Sequence, residues 1–234
     1  MAGKYDYFVS FANRIGQSAP GVTMAGSRKP QVSSRKDPQQ ARSNDLVSAV
    51  LDGAVQVLRK EGAQRFTTAR VAERAGVSVG SIYQYFPNKA AILFRVQAEE
   101  WRQTSAMLGR ILSDTSRSAQ ARLRDLVIAF IRSECEEAEV RLALADAAPL
   151  YRDAPEADEA RGEGWRQFHA FIDEALPTTP PRQRAIVTDL LKRTLSGVGS
   201  SYSEEPRSEE EIEHYSNGLA DMLCAYLATM QEQS

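Results

Sequence analysis

The sequence has few cysteines and no long apolar run, and each shortage excludes a class of protein. Cys135 and Cys224 are its only cysteines, which excludes a disulfide scaffold and is typical of a reducing compartment. No apolar stretch approaches the roughly 18 to 20 residues that a membrane-spanning helix requires. The N-terminus, MAGKYDYFVSFANRIG, lacks the continuous apolar core of a signal peptide. We therefore expect a cytoplasmic protein with no membrane segment.

The sequence also lacks the constellations that enzymes use. It shows no nucleophile with a base and an orienting group, no glycine-rich phosphate loop and no metal-ligand spacing. His169 and Asp173 stand four residues apart, but with only two histidines in the chain they give a weak metal signal. We predict no catalytic residue, no metal and no cofactor. A helical enzyme is an alternative class of protein, but no residues of the sequence support it.

Charge is distributed unevenly along the chain. Residues 28–95 carry twelve Lys and Arg against five Asp and Glu, whereas residues 96–234 carry fifteen against twenty-five. A net charge of +7 thus precedes a net charge of -10. The basic part suggests a polyanionic partner, and the acidic part suggests a separate task.

Apolar spacing and breakers predict an all-α chain. Residues 17–40 are rich in Ser, Pro, Gly and basic residues without a periodic apolar face, so residues 1–40 are interpreted as a flexible basic arm, with Met24 as an alternative start. From Ala41 a helical stripe runs to Glu61-Gly62. Thr67 and Gly76 bound a second helix, and Ser78 caps a third that runs through Tyr85 to the breaker Pro87. Three compact helices are therefore predicted within residues 41–87.

The remaining residues, 88–234, are predicted to form a second helical domain. Asn88 caps a long fourth helix that ends near Leu112. Prolines separate the later helices, which are predicted at about 117–148, 155–176, 182–200 and 208–231. No strand pattern and no internal repeat interrupts this order.

The stretch VSVGSIYQYFPNKAAIL, residues 77–93, is unusual for a buried helix. Gly80 inside a helix costs about 1 kcal/mol relative to alanine, so it suits a backbone that approaches something closely. Lys89 begins a helix, where the macrodipole disfavours a cation unless an anion lies in front of it. Tyr83 and Tyr85 combine an apolar ring with a hydroxyl, which suits a boundary between core and phosphate backbone. Two short helices joined by A-G-V-S also have the helix-turn-helix arrangement.

The segment FTTARVAERAGVSVGSIYQYFPNKAAIL, residues 66–93, resembles the DNA-binding signature of the tetracycline-repressor (TetR/AcrR) family of bacterial regulators. The shared features are the threonines that open the second helix, the A-G-V-S turn, the Y-x-Y/H-F ending and the N-K that opens the fourth helix. The resemblance implies a homodimer that inserts its third helices into the major groove of double-stranded DNA. It also implies a C-terminal domain that holds a small effector and dimerises through its last two helices.

The resemblance assigns individual DNA contacts. Phosphate contacts fall to Thr68, Tyr83, Tyr85 and Lys89. The base-facing positions are Val79, Gly80, Ser81 and Gln84. Of these, Gln84 suits a bidentate bond to adenine and Val79 suits a thymine methyl group. Val71, Val77, Ile82 and Phe86 are assigned to the core, and Ala69 replaces a polar contact of some relatives.

The basic arm and the C-terminal half yield further candidate residues. Cations that either track phosphates or form a solvated tail are Arg28, Lys29, Arg35, Lys36 and Arg42. Aromatic and soft residues for an effector pocket are Trp101, Met107, Phe130, Cys135, Tyr151, Trp165, Phe168, His169 and Phe171. Residues for a two-fold four-helix interface are Leu191, Leu195, Val198, Leu219, Met222 and Tyr226. Ordinary core packing is the competing interpretation of both sets.

These expectations combine into one hypothesis. The chain is a ligand-responsive transcriptional repressor, and its effector shifts the connector helix and thereby the spacing of the recognition helices. The alternative is a DNA-binding regulator whose C-terminal domain binds a protein through its acidic residues Glu134, Glu136, Glu137 and Glu139. Gly197 and Gly199 are expected to permit close helix approach at the dimer interface.

Overall fold

The protein is all-α over the part of the chain that the structure describes. The computed structural model describes residues 31–33 and 41–233, except the side chains of 41–42 and 157–165. Within these residues it contains α-helices and two 3₁₀ turns, and no strand, which confirms the predicted fold class. The helices are α1 Ala41–Glu61, α2 Thr68–Ala75, α3 Val79–Tyr83, α4 Lys89–Leu112, α5 Ala119–Glu136, α6 Ala138–Ala147, α7 Pro155–Ala175, α8 Pro181–Tyr202 and α9 Glu209–Glu232.

Most predicted helix ends are confirmed, because local residues set them. Proline occupies the first position of α7 and of α8, where its missing N–H leaves no intrahelical bond unmade. Ser208 and Glu211 form a capping box at the start of α9, each side chain bonding the other residue's backbone N–H. The last helices therefore begin within about one residue of their predicted starts.

The single helix predicted over 117–148 is wrong, because the chain breaks at Glu137. This residue has φ -106° and ψ 10°, outside the helical region, and separates α5 from α6. Neither proline nor glycine marks the position, so no local signal announces it. The cause lies in packing: α5 contacts α8 and α9, whereas α6 contacts α1.

Contacts divide the described residues into two compact units. The helix-turn-helix unit comprises residues up to 107 together with 137–166, and the C-terminal unit comprises 108–136 together with 167–233. In the helix-turn-helix unit, buried side chains of α1 to α4 join those of α6 in one core. This grouping differs from the predicted boundary at 87/88, since α6 contributes Val140 and Leu144 to that core. Whether residues 41–87 form a separable domain stays a prediction.

In the C-terminal unit, α5 packs against α9 and α8. Gly199 of α8 allows this approach, because an added Cβ would lie 2.8 Å from Cε1 of Phe130 on α5. An added Cβ at Gly197 would meet no atom within 4 Å. The close approach expected at Gly199 is therefore made within the chain.

Candidate functional site

The helix-turn-helix is held by caps at both ends of α2. The Thr67 side chain accepts a hydrogen bond from Arg70 N–H at 3.3 Å and begins the helix. Gly76 ends it with φ +67°, a left-handed conformation that glycine adopts without a Cβ clash. Ser78 then caps α3 by accepting from Ser81 N–H at 3.0 Å. These three cap residues fix the turn that positions α3.

The two sides of α3 differ sharply in burial. Ile82 is fully buried and Phe86 is 1% exposed, so one side of the segment is core as predicted. On the opposite side Val79 is 37% exposed, and Gly80 and Gln84 are also exposed. An added Cβ at Gly80 would have ordinary contact only with Ser78 Oγ, at 3.7 Å. Three of the four predicted base-facing residues are thus exposed on the side opposite the core, and Ser81 is half-buried.

Ser81 has a partner within the turn. Its hydroxyl lies 2.8 Å from that of Ser78, so the two form a hydrogen bond. A base contact by Ser81 therefore has to replace or share that bond. Ser78 was predicted to cap the helix but was not among the predicted DNA contacts.

The predicted phosphate contacts fall into exposed and buried pairs. Tyr83 is 43% exposed, and Lys89 is exposed at the first position of α4. Thr68 is only 9% exposed and Tyr85 only 8%. The Tyr85 hydroxyl donates to Ser43 Oγ at 3.1 Å on α1. A phosphate contact by Tyr85 requires its proton to turn away from Ser43, and all four contacts stay predictions.

Asn88 organises the start of α4. Its Oδ1 accepts from Ala91 N–H at 2.9 Å, as a helix cap, and its Nδ2 donates to the carbonyl oxygen of Gln31 at 3.1 Å. Val32, the next residue, is 2% exposed within the core of this unit. Residues 31–33 are thereby held beside Lys89. The basic residues proposed for DNA tracking lie outside the described side chains.

The predicted pocket residues are divided between the two units. In the helix-turn-helix unit, Tyr151 is 2% exposed and donates to the Leu144 carbonyl at 3.1 Å, while Trp101 and Met107 are half-buried. In the C-terminal unit, Phe130, Phe168 and Phe171 are buried, Cys135 is half-buried and His169 is exposed. The Trp165 side chain lies outside the described set. The pocket assignments stay predictions.

A buried polar network surrounds Tyr151. Its hydroxyl lies 3.3 Å from Gln97 Oε1, Gln97 donates to Glu100 at 2.6 Å, and Arg141 pairs with Glu100 at 2.9 Å. Burial raises the pKa of Glu100 more strongly than Arg141 lowers it. Sequence patterns did not indicate this network, because its members come from α4, α6 and the segment after α6.

Two further observations concern redox and metal chemistry. Burial raises the pKa of the Cys135 thiol, which favours an inert thiol over a redox sensor. Asp173 pairs with Arg184 at 3.0 Å, so it is not reserved for a metal. Among the described side chains, no group of three His, Cys, Asp or Glu residues is placed to hold a metal ion. Within the same residues, no helix is long and apolar enough to cross a membrane.

The predicted dimer residues divide between core and surface. Leu191, Leu195 and Leu219 are at most 7% exposed in the single chain, and their place in a dimer interface stays a prediction. Met222 is 53% exposed, and Val198 and Tyr226 are half-buried. Three further apolar residues of the same two helices, Ile186, Leu190 and Tyr215, are exposed. The residues on the outer side of α8 and α9, rather than the inner ones, form the open apolar face.

A groove of about 700 Å³ lies on this face. Tyr202 and Tyr215 stack in it with ring centroids 3.8 Å apart, and the Arg207 guanidinium lies 4.7 Å from the Tyr202 ring centre. Its lining residues are Val198, Tyr202, Glu210, Glu211, His214, Tyr215, Gly218, Leu219 and Met222.

A capped helix-turn-helix with an outward recognition surface, followed by further helices, defines the class of helical regulatory proteins. Family models agree: "Bacterial regulatory proteins, tetR family" matches residues 50–96, and "Tetracyclin repressor-like, C-terminal domain" matches residues 118–230. The two models together cover more than half of the chain. The chain belongs to the TetR family, as its sequence resemblance predicted.

Individual relatives match shorter stretches. The transcriptional repressor KstR of Mycobacterium tuberculosis is 29% identical over 113 residues, which cover 48% of each chain. The fatty acid metabolism regulator protein of Bacillus subtilis is 33% identical over 73 residues, covering 31% of this chain and 36% of that protein. The chain thus spans about half the length, or less, of these curated relatives.

Solved structures match over a larger share. FadR from Bacillus halodurans, a fatty acid degradation regulator, aligns with a TM-score of 0.59 at 17% identity, covering 80% of this chain and 97% of FadR. FadR from Bacillus subtilis, solved in complex with stearoyl-CoA, aligns with a TM-score of 0.58 at 18% identity, covering 76% and 97%. At these identities the likeness shows the fold.

Proposed function

We propose that the protein is a ligand-responsive transcriptional repressor that binds a palindromic DNA operator as a homodimer and leaves it when a small effector binds. The observation that carries this proposal is the outward surface of α3. Val79, Gly80 and Gln84 are exposed there, while Ile82 and Phe86 anchor the opposite side in the core. A short helix with one solvent-exposed side suits insertion of that side into the major groove.

Charge supports a DNA partner. Residues 28–95 carry a net charge of +7, and exposed Lys89 stands at the positive end of α4. A cation there gains a favourable environment when a phosphate lies in front of it. Lys89 therefore serves as a phosphate contact that positions α3 without reading sequence.

The open apolar face of α8 and α9 supports a homodimer. Ile186 is 59% exposed, Met222 53% and Leu190 48%, although all three are large and apolar. A second copy related by two-fold symmetry would remove these side chains from water on both partners. Two recognition helices then read half-sites about 34–36 Å apart, or a multiple of that distance.

The effector class is inferred from the relatives. The similar Bacillus proteins are regulators of fatty acid metabolism or degradation, and one was solved with stearoyl-CoA. A long-chain acyl-CoA is thus the first effector to test here. The buried aromatic residues Phe130 and Phe168 of the C-terminal unit are of the apolar type that lines such a site.

A DNA titration tests the regulator proposal. Binding to the chain's own upstream DNA is measured against scrambled DNA over a range of salt concentrations. We expect a preference for the upstream sequence, and for Lys89→Ala a weaker binding to all sequences with a salt slope smaller by about one. Arg182→Ala is the matched control, since Arg182 is also an exposed cation in the first turn of a helix, α8.

Two results would oppose the proposal. Equal affinity for upstream and scrambled DNA would refute the repressor function, and an unchanged salt slope in Lys89→Ala would refute the phosphate assignment. Stearoyl-CoA is then added to the complex, with free coenzyme A as the control. If neither stearoyl-CoA nor coenzyme A releases the DNA, the result favours the alternative in which the C-terminal domain binds a protein. Glu134, one of the four acidic residues assigned to that protein contact, is buried, which weakens this alternative.

A further inference from the structure

Arg122 on α5 is a buried cation that the proposed function leaves unused. Its side chain is 3% exposed. Nη1 donates to the Leu112 carbonyl oxygen at 2.6 Å and to Glu174 Oε2 at 3.1 Å, while Nη2 donates to Glu174 Oε1 at 2.5 Å. One guanidinium therefore joins the last residue of α4 to the last turn of α7.

The surroundings of Arg122 restrict it to one position. Its guanidinium carbon lies 5.2 Å from the Phe171 ring centre on α7, within the range of a cation–π contact. The Glu174 bond raises the pKa of Arg122, and Arg122 in turn lowers the pKa of Glu174. Its Nε–H has no hydrogen-bond partner among the described residues. A packed apolar side chain would avoid that unmet bond, so stability alone does not explain an arginine here.

The bond to Leu112 acts on the end of the connector helix. The last four carbonyl groups of an α-helix lack intrahelical partners, and a cation near them is favoured by the macrodipole. Arg122 supplies both a donor and a charge to the Leu112 carbonyl. The final turn of α4 is thereby fixed to α5 and α7 through a bidentate ion pair.

A second observation places α4 next to α7. An added Cβ at Gly109 of α4 would overlap the Gln167 side chain of α7. The exposed end of the Gln167 side chain would have to move to admit a side chain at Gly109, so the two helices face each other about one turn before the Leu112 bond. Both features lie within the C-terminal unit.

We propose that Arg122 is a positioning residue for operator recognition. It fixes the last turn of α4 on α7, and since α4 begins at Lys89 beside the recognition surface, a fixed far end limits how the two recognition helices of a dimer can separate. This inference rests on the proposed function. It assigns Arg122 no contact with DNA or with the effector.

The test varies half-site spacing. Binding of the full chain and of Arg122→Met is measured on operators whose half-sites are separated by zero, one or two extra base pairs. We expect the wild-type chain to prefer one spacing strongly, and Arg122→Met to lose at least about five-fold of that preference, the low end of typical coupling between distant sites. Arg122→Lys keeps the charge but not the bidentate pair, so its loss should be smaller.

Arg124→Met is the matched control. Arg124 is two residues away on the same helix, and its ion pair is with Asp221 of α9 rather than with a residue of α4 or α7. It should keep the wild-type spacing preference. A purely stabilising role of Arg122 would lower the bound fraction equally on every spacing, which this comparison detects.

Amide hydrogen exchange gives a readout that does not require DNA. In Arg122→Met, exchange should accelerate at the end of α4, around Leu112 and Ser113, and not in α9. Unchanged exchange there together with an unchanged spacing preference would overturn the proposal. If Arg122→Met does not fold, Glu174→Gln, which weakens the pair but keeps the Leu112 bond, decides by the same two measurements. Wild-type binding without any spacing preference would instead contradict the proposal that a dimer binds the operator. Hydrogen exchange would still test whether Arg122 fixes the end of α4.

Discussion

The helix-turn-helix segment and the last two helices both have apolar residues at helical spacing, but the two regions differ in how well the sequence indicates which of these residues are buried. In residues 67–89, caps and breakers set each boundary, and side chains such as Ile82 and Val79 fall clearly inside or outside. In α8, the adjacent Leu190 and Leu191 are 48% and 1% exposed, although both belong to one apolar stripe. In the first region, signals from nearby residues thus determine which side chains are buried. In the second region, burial depends on which neighbouring helix covers each face.

The difference teaches what an apolar stripe means. A stripe wide enough for two interfaces predicts a helix but not which half faces the chain's own core. In α8 and α9 the inner half covers α5, and the outer half remains open for a partner. Perturbations that act on one half alone should therefore have different consequences.

The largest expected effect comes from Leu191→Ala compared with Leu190→Ala. Leu191→Ala should lower the free energy of unfolding by about 2–5 kcal/mol, because it leaves a cavity in the core. Leu190→Ala should change the stability of a single chain by less than about 0.5 kcal/mol but weaken self-association. Urea unfolding at several protein concentrations and sedimentation equilibrium separate the two quantities.

The opposite ranking would break the comparison. A large loss of single-chain stability in Leu190→Ala, or a loss of self-association without loss of stability in Leu191→Ala, would mean that the two halves of the stripe are assigned wrongly.

A second expected effect sharpens the other region. Gly80→Ala should raise the stability of the free protein by up to about 1 kcal/mol, since alanine favours the helix and its Cβ has room. The same methyl group should weaken operator binding and leave binding to scrambled DNA unchanged. Thermal unfolding measures the stability, and a DNA titration measures the operator affinity. Improved stability with unaltered operator affinity would mean that Gly80 does not lie at the DNA interface.

The smallest expected effect concerns pH. Arg122 lowers the pKa of Glu174 in the folded protein, so the folded state binds this proton less readily than the unfolded state. The resulting stability is complete above the ordinary carboxyl pKa of 4.5 and is lost as the pH falls through the lower folded pKa. Acid unfolding of Glu174→Gln should show a shallower loss of stability in that window, and a curve parallel to wild type would contradict the pairing.

Sequence reasoning predicted the features that neighbouring residues determine. The caps at Thr67, Ser78 and Asn88 and the left-handed Gly76 were readable because each acts within four residues. The outward positions of Val79 and Gln84 followed from the family resemblance.

Features set by distant partners escaped prediction. The break at Glu137 carries no breaker residue and arises because α5 and α6 pack on different helices. The bond from Tyr85 to Ser43 spans 42 residues, and that from Arg122 to Glu174 spans 52. No local pattern reports which of two tyrosines, or which of many arginines, becomes buried.

The burial of Val32 has a consequence for how this protein can be trimmed. Val32 completes the core of the helix-turn-helix unit, and the Asn88 side chain holds the carbonyl of Gln31. A shortened chain that starts at Ala41 would therefore open a hole in that core and release one bond of the residue that caps α4. The cut that best preserves the recognition surface lies before residue 31, even though every helix that the structure describes in this unit begins after it.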